Sequence, residues 1–126
     1  MDQKYRDTLV NIYRDPPHKG KLENPTVSAR TVGSSCGDIV EMDLKIEDGK
    51  ITDAKFDGAL CIFSTASASF LIQYIIDKSL EEAKKIDVDE LIKYMNVYMA
   101  TSRQHCGDLA IKALRMAIET YENKKD

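Results

Sequence analysis

The sequence predicts an α+β fold, a small antiparallel sheet with helices packed on one face. Three observations carry this: helical spacing opens the chain, a two-residue alternation broken by a tight-turn signal fills its middle, and helical spacing returns in the second half. A length of 126 residues suits a single domain, 1–126, able to bury a core without disulfide staples.

From Asp2 to Tyr13, the residues Tyr5, Leu9, Ile12 and Tyr13 share one helical face, and the helix stops before Asp15-Pro16-Pro17. The long connection that follows carries His18-Lys19-Gly20 and Glu23-Asn24-Pro25, which favour turns and extended chain. Between Asp38 and Glu47, Val40, Met42, Leu44 and Ile46 alternate with Ile39, Glu41, Asp43 and Lys45, mostly a strand period. Asp48-Gly49-Lys50 then reads as a hairpin turn and Ile51 to Phe56 as the returning antiparallel strand. After Cys61, the small residues Ser64, Ala66, Ser67, Ala68 and Ser69 lead into Phe70, Leu71, Ile72, Tyr74, Ile75 and Ile76, a largely buried helix whose small end permits close backbone packing. Leu80 to Lys85 is a short helix. Asp87-Val88-Asp89-Glu90 offers an N-cap and acidic first turn for another, through about Val97. His105 to Asn123 spaces Leu109, Ala113, Met116, Ala117 and Tyr121 as a last helix, followed by a charged tail.

Composition narrows the function. Hydrophobic residues at 43% and charged residues at 31% describe a soluble globular chain. No apolar run approaches the roughly 20 residues that span a bilayer, so no membrane partner is expected. The first residues, Met1-Asp2-Gln3-Lys4-Tyr5-Arg6, show no signal core or cleavage site, which predicts a cytoplasmic protein. With 18 basic and 21 acidic residues the net charge is -3, without the basic footprint of nucleic-acid binding. Three cysteines cannot complete a disulfide framework and point to free thiols in a reducing compartment.

Those thiols sit at element boundaries, before a strand, between strand and helix, and at a helix start, where function tends to lie. The intervals from Cys36 to Cys61 and on to Cys106 are far longer than the Cys-x-x-Cys pairs of zinc ribbons or thioredoxins, so a common site needs the fold to assemble it. A lone cysteine is commonly a small buried hydrophobe. Two neighbourhoods argue otherwise. Cys36-Gly37-Asp38 sets a thiol and a carboxylate around a flexible glycine, and Cys106 follows His105 directly and precedes Gly107. Three thiolates, a carboxylate and an imidazole suit zinc or iron-sulfur chemistry and suit magnesium or calcium poorly.

Cys36-Gly37-Asp38 opening a strand, Cys61 followed by Ile62-Phe63-Ser64-Thr65-Ala66-Ser67-Ala68-Ser69, and His105-Cys106-Gly107-Asp108-Leu109-Ala110-Ile111-Lys112-Ala113-Leu114 resemble the three signatures of the IscU/NifU-type iron-sulfur scaffold family. His18 followed by Glu23-Asn24-Pro25 resembles the family's approach to its first cysteine, and the likeness covers nearly the whole chain. The resemblance implies a three-stranded antiparallel sheet with helices on one face. It also implies a scaffold, not an enzyme, on which a 2Fe-2S cluster is assembled from iron and desulfurase-derived sulfur and passed to acceptor apoproteins. Cys36, Cys61 and Cys106 would hold the cluster and receive sulfur, with Asp38 beside them and His105 as alternative ligand. The implied partners are a cysteine desulfurase of the IscS or NifS type, the acceptors and an iron donor. Thiolates from one subunit permit a monomer, while an exposed site can be shared across a homodimer. The short interval between Cys61 and Cys106 resembles the IscU branch rather than the SufU branch, which carries an insertion there.

Three departures stand out. IscU proteins recruit a dedicated Hsp70 chaperone through Leu-Pro-Pro-Val-Lys before the His-Cys pair, and this chain has Ala100-Thr101-Ser102-Arg103-Gln104 instead, which removes the basis for that partnership. Arg103 takes the place of a site-adjacent lysine and hardly ever gives up its proton. Leu60 replaces a glycine before the second cysteine.

Other readings compete with a cluster. A structural Zn2+ site can use the same three thiolates with Asp38 or His105. A thiol enzyme with Cys106 as nucleophile and His105 as base is geometrically poor, since adjacent helical residues point about 100 degrees apart. Taken by position alone, Asp38 reads as a strand-edge charge, His105 and His18 as surface histidines, and Ser64 to Ser69 as close packing.

Overall fold

The structure, a computed structural model, describes residues 10–33, 38–95 and 104–124, the side chains of 62, 63, 95, 104–107 and 124 excepted. Its strands are β1 (Val27–Val32), β2 (Ile39–Glu47) and β3 (Lys50–Asp57); its helices are α1 (Ile62–Ile75), α2 (Leu80–Lys84), α3 (Val88–Met95) and α4 (Gln104–Lys124). Residues 10–14 are also helical, and the rest of the expected first helix lies outside the described residues. The α+β expectation holds: the sheet is antiparallel in the order β1-β2-β3, and α4 and α1 pack against it.

The hairpin forms where the turn chemistry requires it. Asp48 and Gly49 both have positive φ, 54° and 74°, the backbone of a two-residue turn whose twist matches the strands it joins. Glu47 then pairs with Lys50, Leu44 with Ala54 and Met42 with Phe56. A register shift at Lys45/Ile46 leaves Thr52 as the extra residue of β3, which puts Ile51 on the same buried face as Ala54 and Phe56. Val40, Met42, Leu44 and Ile46 from β2 complete that face.

One expectation needs correction. The connection after Pro17 contains β1, paired from Val27↔Leu44 to Val32↔Ile39. Its alternation is chemically faint: Val27, Ala29 and Thr31 turn toward the core while Ser28, Arg30 and the 54% exposed Val32 turn away. The outer face of β2 is not uniformly solvated. Asp43 is buried and accepts hydrogen bonds from Leu22 N–H at 3.0 Å and the Ser28 hydroxyl at 2.7 Å, stapling the preceding loop onto the outer sheet face. On the far edge, Phe56 N–H donates to His18 O and Gly20 N–H to Phe56 O, so the His18 segment covers β3.

The helices follow the expected spans over the described residues, and the end expected near Val97 lies outside them. Ser79 and Glu82 form a reciprocal capping box at α2, and Glu90 N–H donates to Asp87 Oδ1 at 2.8 Å where α3 begins. Tyr74 on α1 donates its hydroxyl to Glu90 on α3, which raises the tyrosine's pKa above its ordinary value through that hydrogen bond first and burial second. On α4 the buried stripe runs through Leu109, Ala110, Ala113, Leu114, Ala117 and Ile118; Met116, expected on that face, lies at its margin.

Chain direction decides which ends meet. The end of α1 is tied to the start of β3, with Asp77 N–H donating to Ile51 O and Ile51 N–H to Lys78 O. The end of α4 is tied nearby, with Lys84 Nζ 3.0 Å from Glu122 and Arg115 donating to Ile86 O at 2.7 Å. Both helices therefore run toward the hairpin end, and α4, about 30 Å long, begins at the opposite end. There β1 ends, β2 starts, β3 ends and α1 starts.

Candidate metal centre

Three elements tighten at that end. Gly33 N–H donates to Asp38 O at 2.7 Å, closing the β1–β2 connection, and Ile39 N–H donates to Ala59 O at 2.9 Å, drawing in the chain that leaves β3. The second contact depends on Gly58. Its φ is +132°, and a Cβ there would stand 2.0 Å from Ile39 O, so only glycine permits the backbones to approach this closely.

The result brings Asp38 to Cys61. Cys61 is the N-cap of α1, with extended backbone (φ -72°, ψ 172°), and its Sγ accepts the Ser64 N–H at 3.4 Å in the role usually filled by a serine or aspartate oxygen. Asp38 is 8% exposed, and its Oδ2 accepts the Ser64 hydroxyl at 2.6 Å and the Cys61 N–H at 3.4 Å. The Cys61 thiol in turn lies 3.4 Å from Ser64 Oγ. One buried hydroxyl thus touches both a thiol and a carboxylate that stand 23 residues apart in the chain. A half-buried sulfur and a buried carboxylate joined through one hydroxyl are donor types suited to iron or zinc.

Of the residues singled out from sequence, Asp38 and Cys61 are together. Cys36 and Arg103 lie outside the described residues, as does the 100–103 segment that replaces the chaperone motif. His105 and Cys106 are the second and third residues of α4, whose backbone starts at this end of the molecule; their side chains are not described. Among the described residues no group of three or more His, Cys, Asp and Glu side chains converges; the pair found here is the described part of the expected set. Ser64 was read as packing and belongs to the site. Its signal was its spacing: an N-cap residue and the one three places later share a helix face. For Ser69 the packing reading holds, its buried hydroxyl reaching Pro17 O at 3.0 Å. His18 is half-buried and contributes its carbonyl to the β3 edge.

The described residues form a small α+β domain that presents a thiol and a carboxylate at the shared end of a sheet and two helices. Residues 4–126 match the family described as NifU-like N terminal domain. The chain belongs to that family. It is similar to the iron-sulfur cluster assembly scaffold protein IscU of Rickettsia prowazekii, 34% identical over 130 residues that cover 97% of this chain and 98% of that one. It is 32% identical to the protein of the same description from Azotobacter vinelandii, over 96% of each chain. Its fold is that of the N-terminal part of a nitrogen-fixing NifU-like protein from Brucella abortus, with a TM-score of 0.76 over 95% of each chain at 21% identity. No helix among the described residues is long and apolar enough to cross a membrane.

Proposed function

We propose that this chain is a scaffold on which an iron-sulfur cluster of the 2Fe-2S type is assembled and from which it is transferred to acceptor proteins. The observation that carries this reading is the Cys61–Asp38 pair, joined through Ser64, at the end of the molecule where β2 begins and the backbone of α4 starts. In this reading Cys36 and Cys106 supply two further thiolates, Asp38 the oxygen ligand, and His105 an alternative donor. Cys36 is two residues from Asp38 in the chain, within about 7 Å by backbone reach alone. Membership of a family whose relatives are named as assembly scaffolds supports the same role.

The chemistry follows from the donors. The cluster is cargo: thiolates hold iron strongly, while a carboxylate is a harder and weaker ligand for it, so the set retains the cluster yet has one bond that an incoming acceptor thiol can replace. Sulfur is taken to arrive as the outer, sulfane sulfur of a desulfurase persulfide and iron as Fe2+ from a donor at the same site; each sulfur takes up two electrons to become bridging sulfide, supplied by oxidation of the ferrous iron and by a thiol reductant that leaves as its disulfide. A reducing compartment such as the cytoplasm keeps the cysteines available.

Anaerobic incubation with ferrous iron, cysteine and a desulfurase tests the proposal. Visible charge-transfer absorption with matching iron and sulfide content is expected, lost in Cys36→Ser, Cys61→Ser or Cys106→Ser, and suppressed by competing zinc. A chain that stays colourless while a known scaffold reconstitutes in parallel would overturn it.

A further inference from the structure

Ser64 is 1% exposed and occupies the first turn of α1. A serine within a helix most simply bonds back to a carbonyl of the preceding turn. Ser64 instead reaches across to another element, donating to Asp38 Oδ2 at 2.6 Å from 26 residues away, and it contacts Cys61 through both its amide and its hydroxyl.

We propose that Ser64 is a positioning residue for the metal-binding carboxylate: its hydroxyl, anchored on α1, fixes the rotation of Asp38 so that the carboxylate is presented to metal held at Cys61. The inference rests on the scaffold reading of this site. Two features make the linkage specific. The helix that Cys61 caps also carries the hydroxyl, so thiol and carboxylate are referred to one rigid frame. Asp38 itself stands just outside β2, and the Ser64 bond together with the longer Cys61 N–H bond restrains its carboxylate. Partners of this kind orient ligands, and their loss weakens metal binding by about 10–100-fold.

The test uses Co2+ as the probe, titrated anaerobically into the whole chain and followed by its thiolate charge-transfer and d–d absorption, for wild type, Ser64→Ala, Asp38→Ala and the double variant. Ser64→Ala is expected to weaken Co2+ binding about tenfold or more and to alter the d–d envelope, and to have no further effect once Asp38 is alanine. Wild-type affinity in Ser64→Ala, or an equal loss in both backgrounds, overturns the proposal, because the serine would then act by packing alone. If Ser64→Ala does not fold, Ser64→Thr carries the test: it keeps the hydroxyl and is expected to bind Co2+ as wild type, and a tenfold loss in the folded variant overturns the role. Cys61→Ser separates the two levels. A wild-type Co2+ spectrum in that variant sinks the site reading and this inference together, whereas a Cys61-dependent spectrum unaffected by Ser64→Ala sinks this inference alone.

Discussion

Asp38 illustrates how little a single position says before its neighbours are known. A carboxylate opening a strand is commonly a solvated charge, and the sequence alone favoured a site role through its place beside Cys36. The structure buries it and directs its Oδ2 to Ser64 and Cys61. If that oxygen is the weak member of the ligand set, Asp38→Ala is expected to slow cluster transfer to an apo-ferredoxin and to prolong the lifetime of the bound cluster where His105 fills the vacancy. Timed transfer from both proteins measures this; equal rates and equal lifetimes would reduce Asp38 to a structural charge. Ser64 was hidden because a serine in a run of small residues looks like packing, which Ala66 and Ala68 beside it are.

At the scale of elements, the decisive joint is the one between β3 and α1. Gly58 lets the backbone pass against Ile39, and that contact sets the distance between the start of β2 and the N-cap of α1. Gly58→Ala places a methyl against a carbonyl at a φ that L-residues avoid, and is expected to cost more than about 2 kcal/mol. Chemical denaturation measures the loss, and Co2+ binding by the surviving fold should fall with it. The capping box of α2 gives a separate pH signature. Hydrogen bonds from the Ser79 backbone and then its hydroxyl lower the Glu82 pKa from its ordinary value of 4.5. A depressed native pKa means stability that is present above the ordinary carboxylate value and is lost as pH falls through the native one. Thermal melts of wild type and Glu82→Gln should therefore differ at neutral pH and converge in acid; a gap that persists there would show that the carboxylate's charge is not the cause.

For the whole molecule, the parallel course of α1 and α4 puts the candidate site at one end of the domain and the hairpin at the other. The hairpin, the capping box and the Lys84–Glu122 pair close that second end. Family resemblance would bring an Hsp70 partner to the segment before His105, but Ala100 to Gln104 is polar and has no proline. Binding of this chain to an IscU-type Hsp70 is expected to be weak or absent, with cluster transfer independent of the chaperone. Calorimetry with the purified chaperone decides it; submicromolar saturable binding that changes in Ala100 to Gln104 abolish would count against the expectation.

Local chemistry was legible residue by residue. Asp48-Gly49 specifies its turn because few residues tolerate two consecutive positive φ values, Asp15-Pro16-Pro17 ends a helix because proline lacks the amide to continue one, and the alternation of β2 names its core face. The cysteines, Asp38 and His105 were named as candidates by residue type and neighbourhood. What only the tertiary structure decided depends on pairs distant in the chain. β1 is a strand because β2 offers it an edge to pair with, although Ala29 and Thr31 give it a weak apolar period. Asp38, Ser64 and Cys61 form one constellation because Gly58 can approach Ile39, and Asp43 staples the sheet to a loop because that loop folds over it. Periodicity and turn residues act over a few positions, whereas sheet order, helix direction and backbone approach are set by packing the whole chain, and that packing made a site from residues the sequence keeps apart.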